Sequence, residues 1–168
     1  MAVVPCGAKL GIRCELSPSY EHALTCSGTD PTLYTGSINY VPAVRDTTVY
    51  WQVPLGGVSV NGVRIPTANA DGTAPLAIID TGTTIALGAR DTVAALYAQV
   101  PGARIDDTVT FSMLGYDAEV YTFPCTAIST LPRVGITLGG VEYGIYPPDL
   151  VIAINGTTCT GSLLGLER

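Results

Sequence analysis

Only one histidine, His22, occurs in the 168 residues, and that scarcity removes two classes of chemistry. Nucleophilic catalysis by a Ser-His-Asp or Cys-His arrangement needs an imidazole beside the nucleophile. His22 lies in the part of the chain with the least periodic pattern. Zinc sites draw on clustered His and Cys, and the five cysteines (Cys6, Cys14, Cys26, Cys125, Cys159) include no Cys-x-x-Cys pair. No metal and no cofactor is therefore expected. Lys and Arg total 8 against 14 Asp and Glu, a net charge of −6 that leaves too few cations to neutralise a nucleic acid. A Gly-rich phosphate loop and a dinucleotide fingerprint are both missing. No apolar run approaches the roughly 20 residues needed to cross a bilayer, so the chain reads as soluble, with no membrane partner.

Charge is scarce as well. Charged residues make up 13%, about half the usual share of roughly 25%. The hydrophobic fraction is 47% and the mean hydropathy +0.37, with 19 Gly and 12 Pro. Such a chain is apolar, globular and rich in turns, and its length suits one domain with a core of its own. An odd number of cysteines leaves at least one without an intrachain partner, and the pairing of Cys6, Cys14 and Cys26 is open. Residues 1–27 carry no assignable strand or helix. Pro5, Gly7 and Lys9 interrupt them before a signal-peptide core could form, so no signal peptide is recognisable.

From Gly28 onward the pattern is one of short strands. Residues 33–41 and 49–53 are rich in strand formers, with a polar turn at residues 45–48 between them. Val58-Ser59-Val60 and Val63-Arg64-Ile65 flank Asn61-Gly62, a strong two-residue hairpin signal. Further strands are expected over residues 109–111, 118–123, 134–138, 141–145 and 150–154, with Gly139-Gly140 as a second hairpin turn. One helix interrupts them: Val93, Leu96, Tyr97 and Val100 fall at i, i+3, i+4 and i+7, and Pro101-Gly102 stops it. The fold class is mainly β with one or two short helices.

The stretch that carries chemistry is Ala77-Ile78-Ile79-Asp80-Thr81-Gly82-Thr83-Thr84. Its apolar run reads as a buried strand, and an Asp at the end of one is costly unless neighbouring donors satisfy it. Thr81, Thr83, Thr84 and the amides around Gly82 are candidate donors. As a bare tripeptide, Asp-Thr-Gly is equally a turn closing a strand, since Asp and Gly are ordinary turn residues.

The surroundings add weight. Asp30-Pro31-Thr32-Leu33-Tyr34-Thr35-Gly36-Ser37-Ile38, Tyr50-Trp51-Gln52-Val53 and Ile78-Ile79-Asp80-Thr81-Gly82-Thr83-Thr84 resemble, in order and spacing, the C-terminal half of a pepsin-like aspartic protease. Cys125, Ile128-Ser129-Thr130-Leu131-Pro132, Tyr146-Pro147-Pro148 and Cys159-Thr160-Gly161 continue the match over residues 28–168, and secreted fungal members look most similar. The resemblance implies one lobe of the bilobal acid-protease β-barrel fold. It implies that Asp80 is one of two catalytic aspartates that share a proton and activate a water. Thr81 would lock the two catalytic loops together, Thr83 would hydrogen-bond the aspartate, and Gly82 would let the backbone approach it. Ile78 and Thr84 would line apolar substrate pockets, for cleavage of peptides between hydrophobic residues. Cys125 and Cys159 align with a family disulfide, the alternative being two buried free thiols, and a bridge places the protein in an oxidising, extracellular or vacuolar compartment. Asn155-Gly156-Thr157 fits a glycosylation acceptor, a tripeptide that also arises by chance.

The departures from the pattern set further expectations. There is one Asp-Thr-Gly, so the N-terminal lobe with the partner aspartate is missing and the chain alone is expected to be inactive. The chain stops before the family's apolar-apolar-Gly-Asp segment. The distance of Leu163-Leu164-Gly165 from Cys159 assigns these residues to an earlier loop. Two other readings stay open: a homodimer facing two copies of Asp80 across a twofold axis, as in retroviral proteases, and a non-catalytic binding or storage protein on the same fold.

Overall fold

Strand pairing organises the chain. The computed structural model describes residues 10–13, 23–26, 29–44, 50–67, 71–80, 82–109, 111–113 and 116–166. The chain divides into two units, Met1–Ile38 and Asn39–Arg168. In the first, β1 (Leu10–Arg13) and β2 (Ala23–Cys26) pair antiparallel, with Leu10 opposite Cys26. They form a hairpin within the stretch that shows no pattern in sequence. Asp30 then caps a 3-10 turn, Pro31–Leu33, its Oδ1 accepting the Thr32 N–H at 2.9 Å and the Thr32 hydroxyl at 2.7 Å.

The strand expected over residues 33–41 does not form. Leu33 closes the 3-10 turn, and residues 34–44 have no regular structure. Strand formers need a neighbouring edge to pair with, because β propensity measures fit to a sheet rather than a backbone preference. The Asp30-Pro31 turn and Gly36, at φ 76°, bend this segment off an extended path. Residues 45–49 lie outside the described residues, so the turn expected at 45–48 does too.

The second unit contains β3 (Gln52–Val60), β4 (Val63–Ile65), β5 (Leu76–Ile78) and β6 (Ala86–Ala89), then the helix α1 (Arg90–Tyr97). After it come β7 (Arg104–Ile105), β8 (Phe111–Met113), β9 (Tyr116–Glu119), β10 (Tyr121–Pro124), β11 (Val134–Leu138) and β12 (Val141–Ile145). β13 (Val151–Asn155), β14 (Thr158–Gly161) and β15 (Leu163–Leu166) complete it, with 3-10 segments at Cys125–Thr130 and Pro147–Leu150. The sheets run β12-β11-β3-β4, β13-β14-β10-β7 and β6-β15-β9-β8, each an open order, so no closed barrel is present among the described residues.

Local chemistry explains the hairpins. Asn61 and Gly62 have φ of 50° and 79°, the left-handed pair that a two-residue turn matched to strand twist requires, and Val60 faces Val63. The long strand β3 serves two neighbours in turn: Gln52, Val53 and Pro54 pair with β5, whereas Val58, Ser59 and Val60 pair with β4. A register shift against β11 opposes Gly57 to Thr137 but Leu55 to Leu138, leaving Gly56 as the extra residue of a bulge. A Cβ at Gly56 would come within 2.9 Å of Thr137 Cγ2, so the close approach at the bulge suits glycine.

The helix reading holds. Val93, Leu96, Tyr97 and Val100 are all buried and pack with Tyr121, Phe123, Leu131, Val134 and Leu150 in the main core. The strand expected over residues 118–123 is divided at Val120, whose carbonyl accepts the Asp106 N–H at 2.8 Å. β9 and β10 on either side of it belong to different sheets, so the chain changes sheet at that point.

Candidate active site

Asp80 follows β5, whose backbone is held by β3 and continued by the Ile79 N–H donating to the Trp51 carbonyl at 2.9 Å. Beyond it the chain turns back on the carboxylate. Gly82 N–H donates to Oδ1 at 2.8 Å and the Thr83 hydroxyl to Oδ2 at 2.6 Å. Three other Asp turns among the described residues show what is particular here. At Asp30, Asp71 and Asp106, the threonine two residues on gives both its N–H and its hydroxyl to one oxygen, Oδ1. At Asp80 the residue two on is glycine, and the hydroxyl comes from the next position to the other oxygen. Both carboxylate oxygens are thereby fixed, and no side chain from position 82 stands against Oδ1. The Thr83 hydroxyl first, and the Gly82 N–H second, hold the Asp80 carboxyl below its ordinary value of 3.8.

The loop returns into a rigid base. β6 runs directly into α1, and β15 lies parallel to β6 with Leu163 opposite Ala86, Leu164 opposite Leu87 and Gly165 opposite Gly88. The Ala86 N–H donates to Ser162 O at 2.9 Å. Leu163-Leu164-Gly165, expected in a loop, are thus part of a strand and run beside the one that leaves the Asp80 turn. Gly165 permits close approach, since a Cβ there would sit 3.2 Å from the Arg90 Cα at the start of the helix. The Arg90 guanidinium meets Glu119 on β9 at 3.0 Å, tying helix and sheet together.

The expectation of a buried strand around Asp80 is not met. Leu76, Ile78 and Ile79 are exposed, Ile78 by 47%, as is Trp51, and Asp80 itself reaches solvent. The physical reason is that β5 pairs only with β3, and nothing else in the described residues covers that strip. Apolar periodicity identifies a surface that avoids water but not what covers it. Thr84 is exposed and Thr83 half-buried, while Thr81 lies outside the described residues.

Away from the site, Cys125 and Cys159 form a disulfide with Cα atoms 5.0 Å apart. Cys159 lies on β14 opposite Phe123 of β10, and Cys125 opens the 3-10 segment that follows β10, so the bridge clamps neighbouring strands. Asn155 is exposed at the end of β13, where Gly156, at φ 60°, begins the turn into β14. His22, Cys6 and Cys14 lie outside the described residues.

A mainly β unit with a doubly braced Asp-Thr-Gly carboxylate at the end of a strand defines a class, and sequence comparison agrees with it. The eukaryotic aspartyl protease family matches residues 17–167, and the chain belongs to that family. It is 38% identical over 147 residues to an aspartic protease of Phaffia rhodozyma, covering 84% of this chain and 33% of that protein. Cathepsin D of Clupea harengus is 33% identical over 147 residues, covering 86% and 33% respectively. Pepsin II-2/3 of Oryctolagus cuniculus is 30% identical over 140 residues, covering 83% and 32%. The chain spans about a third of the length of these relatives.

Proposed function

We propose that this chain is the C-terminal lobe of an aspartic endopeptidase, residues 28–168 forming the lobe and Asp80 being one carboxylate of a catalytic pair. The observation that carries the reading is the cradle of Asp80: two donors, one on each oxygen, on a turn that opens to solvent beside an uncovered apolar strip. A second lobe bringing its own Asp-Thr-Gly would cover that strip and set a second carboxylate beside the first. Two such groups cannot both ionise at close range, so the pair holds one proton and titrates as a unit. The ionised partner takes a proton from the attacking water while the protonated one hydrogen-bonds the scissile carbonyl oxygen. The water oxygen then bonds to the carbonyl carbon, and the amide nitrogen leaves with a proton. Donors that favour the Asp80 carboxylate suit it to the basic half of this exchange. Ile78 and Thr84, both exposed beside the turn, would contact substrate side chains and favour peptide bonds between apolar residues. The disulfide supports an oxidising, extracellular or vacuolar setting.

The test is an acid-pH assay on a peptide with apolar residues flanking the scissile bond. The chain alone should show no pepstatin-sensitive cleavage. The chain joined to an N-terminal lobe carrying a second Asp-Thr-Gly should cleave, and Asp80→Asn should abolish that activity. Retention of activity in the Asp80→Asn protein would overturn the proposal. Activity of the chain alone, with a dimer in sedimentation, would replace the partner lobe by a second copy.

A further inference from the structure

We infer that Asn155 carries an N-linked glycan whose role is to close the exposed edge of β13. This rests on the hairpin and the disulfide, not on the protease reading. β13 is the end strand of its sheet, and no strand pairs with its outer edge among the described residues. Its residues Val151-Ile152-Ala153-Ile154 are uncharged, β-prone and free of proline, the composition that recruits a foreign strand. Ile152 is 41% exposed and Ile154 66%, and together with Ile128, Pro148, Val151 and Ala153 they line an open groove of about 330 Å³. Natural sequences flank such segments with residues that block pairing. On the N-terminal side, Pro147, Pro148 and Asp149 do so. On the C-terminal side the next charged residue is Glu167, twelve positions after Asn155.

What stands there instead is Asn155-Gly156-Thr157, the only Asn-x-Ser/Thr tripeptide in the sequence. Asn155 and Thr157 are both exposed, and neither side chain has a hydrogen-bond partner among the described residues. The turn is held firmly: Cys125 N–H donates to Thr157 O at 2.8 Å, and Cys159, two residues further on, is bridged to Cys125. The bridge and the modification also belong to the same oxidising compartment. In the transfer, the Asn155 Nδ2 bonds to the anomeric carbon of a lipid-pyrophosphate-linked oligosaccharide. The carbon–oxygen bond to pyrophosphate breaks, the amide gives up one proton, and the lipid pyrophosphate leaves. The register against β14 shifts between Val151 and Ala153, so alternation runs unbroken only from Ala153 to Asn155 and sets Asn155 on the face opposite Ile154. The glycan stands at the end of the strand, next in sequence to the exposed Ile154, and its bulk denies an incoming strand the edge.

The chain, carrying an added leader, is secreted from a eukaryotic host, and the peptide containing Asn155 is analysed by mass before and after peptide N-glycosidase. A single glycan is expected, absent from Thr157→Ala and Asn155→Gln. Enzymatic removal of the glycan from the folded protein should raise self-association several-fold in sedimentation, and Ile154→Lys should reverse that rise. An unmodified Asn155 in secreted protein whose Cys125–Cys159 bridge has formed would overturn the assignment. Deglycosylated protein that stays as monomeric as before, or whose self-association Ile154→Lys leaves unchanged, would overturn the shielding role.

Discussion

The Thr83 hydroxyl lies 2.6 Å from Oδ2 of Asp80 and is the largest influence on that carboxyl group. Its effect has a defined sign. The folded pKa is lowered, so the interaction favours the folded state at pH above the ordinary 3.8 and is lost as pH falls through the lower folded value. Thr83→Val keeps the size and removes the donor. The Asp80 pKa should then climb toward 3.8 in a carbon-detected NMR titration, and the denaturation midpoints of variant and parent should differ above that pH and converge below it. An unmoved Asp80 titration would show that the hydroxyl does not govern the carboxylate.

Gly161 on β14 meets the helix where no side chain fits. A Cβ there would overlap the hydroxyl of Tyr97, which is buried on α1 and stacked on Tyr121 with ring centroids 4.3 Å apart. Burial pushes the Tyr97 phenol up to about 12, so it stays neutral throughout the acid and neutral range. Gly161→Ala should cost about 2 to 3 kcal/mol by overpacking. In a Tyr97→Phe background the same change should cost about 1 to 2 kcal/mol less, because the two sites share one space. Urea midpoints of the four proteins measure the coupling, and additive costs would mean that the hydroxyl is not what Gly161 makes room for.

These two sites also show which features were legible in the sequence. The helix was readable because Val93, Leu96, Tyr97 and Val100 repeat at the helical period. The Asn61-Gly62 and Gly139-Gly140 turns were readable because their geometry is set by two residues alone. Asp80 with Thr83 was readable as a motif, and its donors are within three residues. What escaped was pairing between distant segments. β15 finds β6 across more than seventy residues, and nothing in Leu163-Leu164-Gly165 marks a parallel partner. Tyr34, Tyr40 and Val41 have the composition of a strand but lie in a segment without regular structure. The apolar run Ala77-Ile78-Ile79 reads as a buried strand because periodicity does not distinguish a core face from a face left open.

The Cys125–Cys159 bridge should be a large single contribution to stability. Its cysteines are 34 residues apart, and closing a loop of that length constrains the unfolded chain by about 4 kcal/mol. Replacing both by alanine should lower the denaturation midpoint accordingly, with the slope of the transition rising as the unfolded chain expands. A change under about 1 kcal/mol would mean that the β10–β14 pairing already supplies that constraint.

Gly82 is where structure and chemistry are most closely joined. A Cβ at this position would lie 3.2 Å from Asp80 Oδ1, tight enough that the methyl or the carboxylate must give by a few tenths of an ångström. The turns at Asp30, Asp71 and Asp106 carry threonine at the equivalent position, so a side chain there does not prevent the turn from forming. It does occupy space against the oxygen that the proposed water would approach. In the two-lobe protein, Gly82→Ala should therefore lower kcat on the order of 100-fold, the effect of displacing a reacting group by a fraction of an ångström to an ångström. Its denaturation midpoint should move by no more than about 1 kcal/mol. Equal losses of stability and activity would indicate a folding role for Gly82, whereas a fall in kcat alone ties the missing side chain to the water at Asp80.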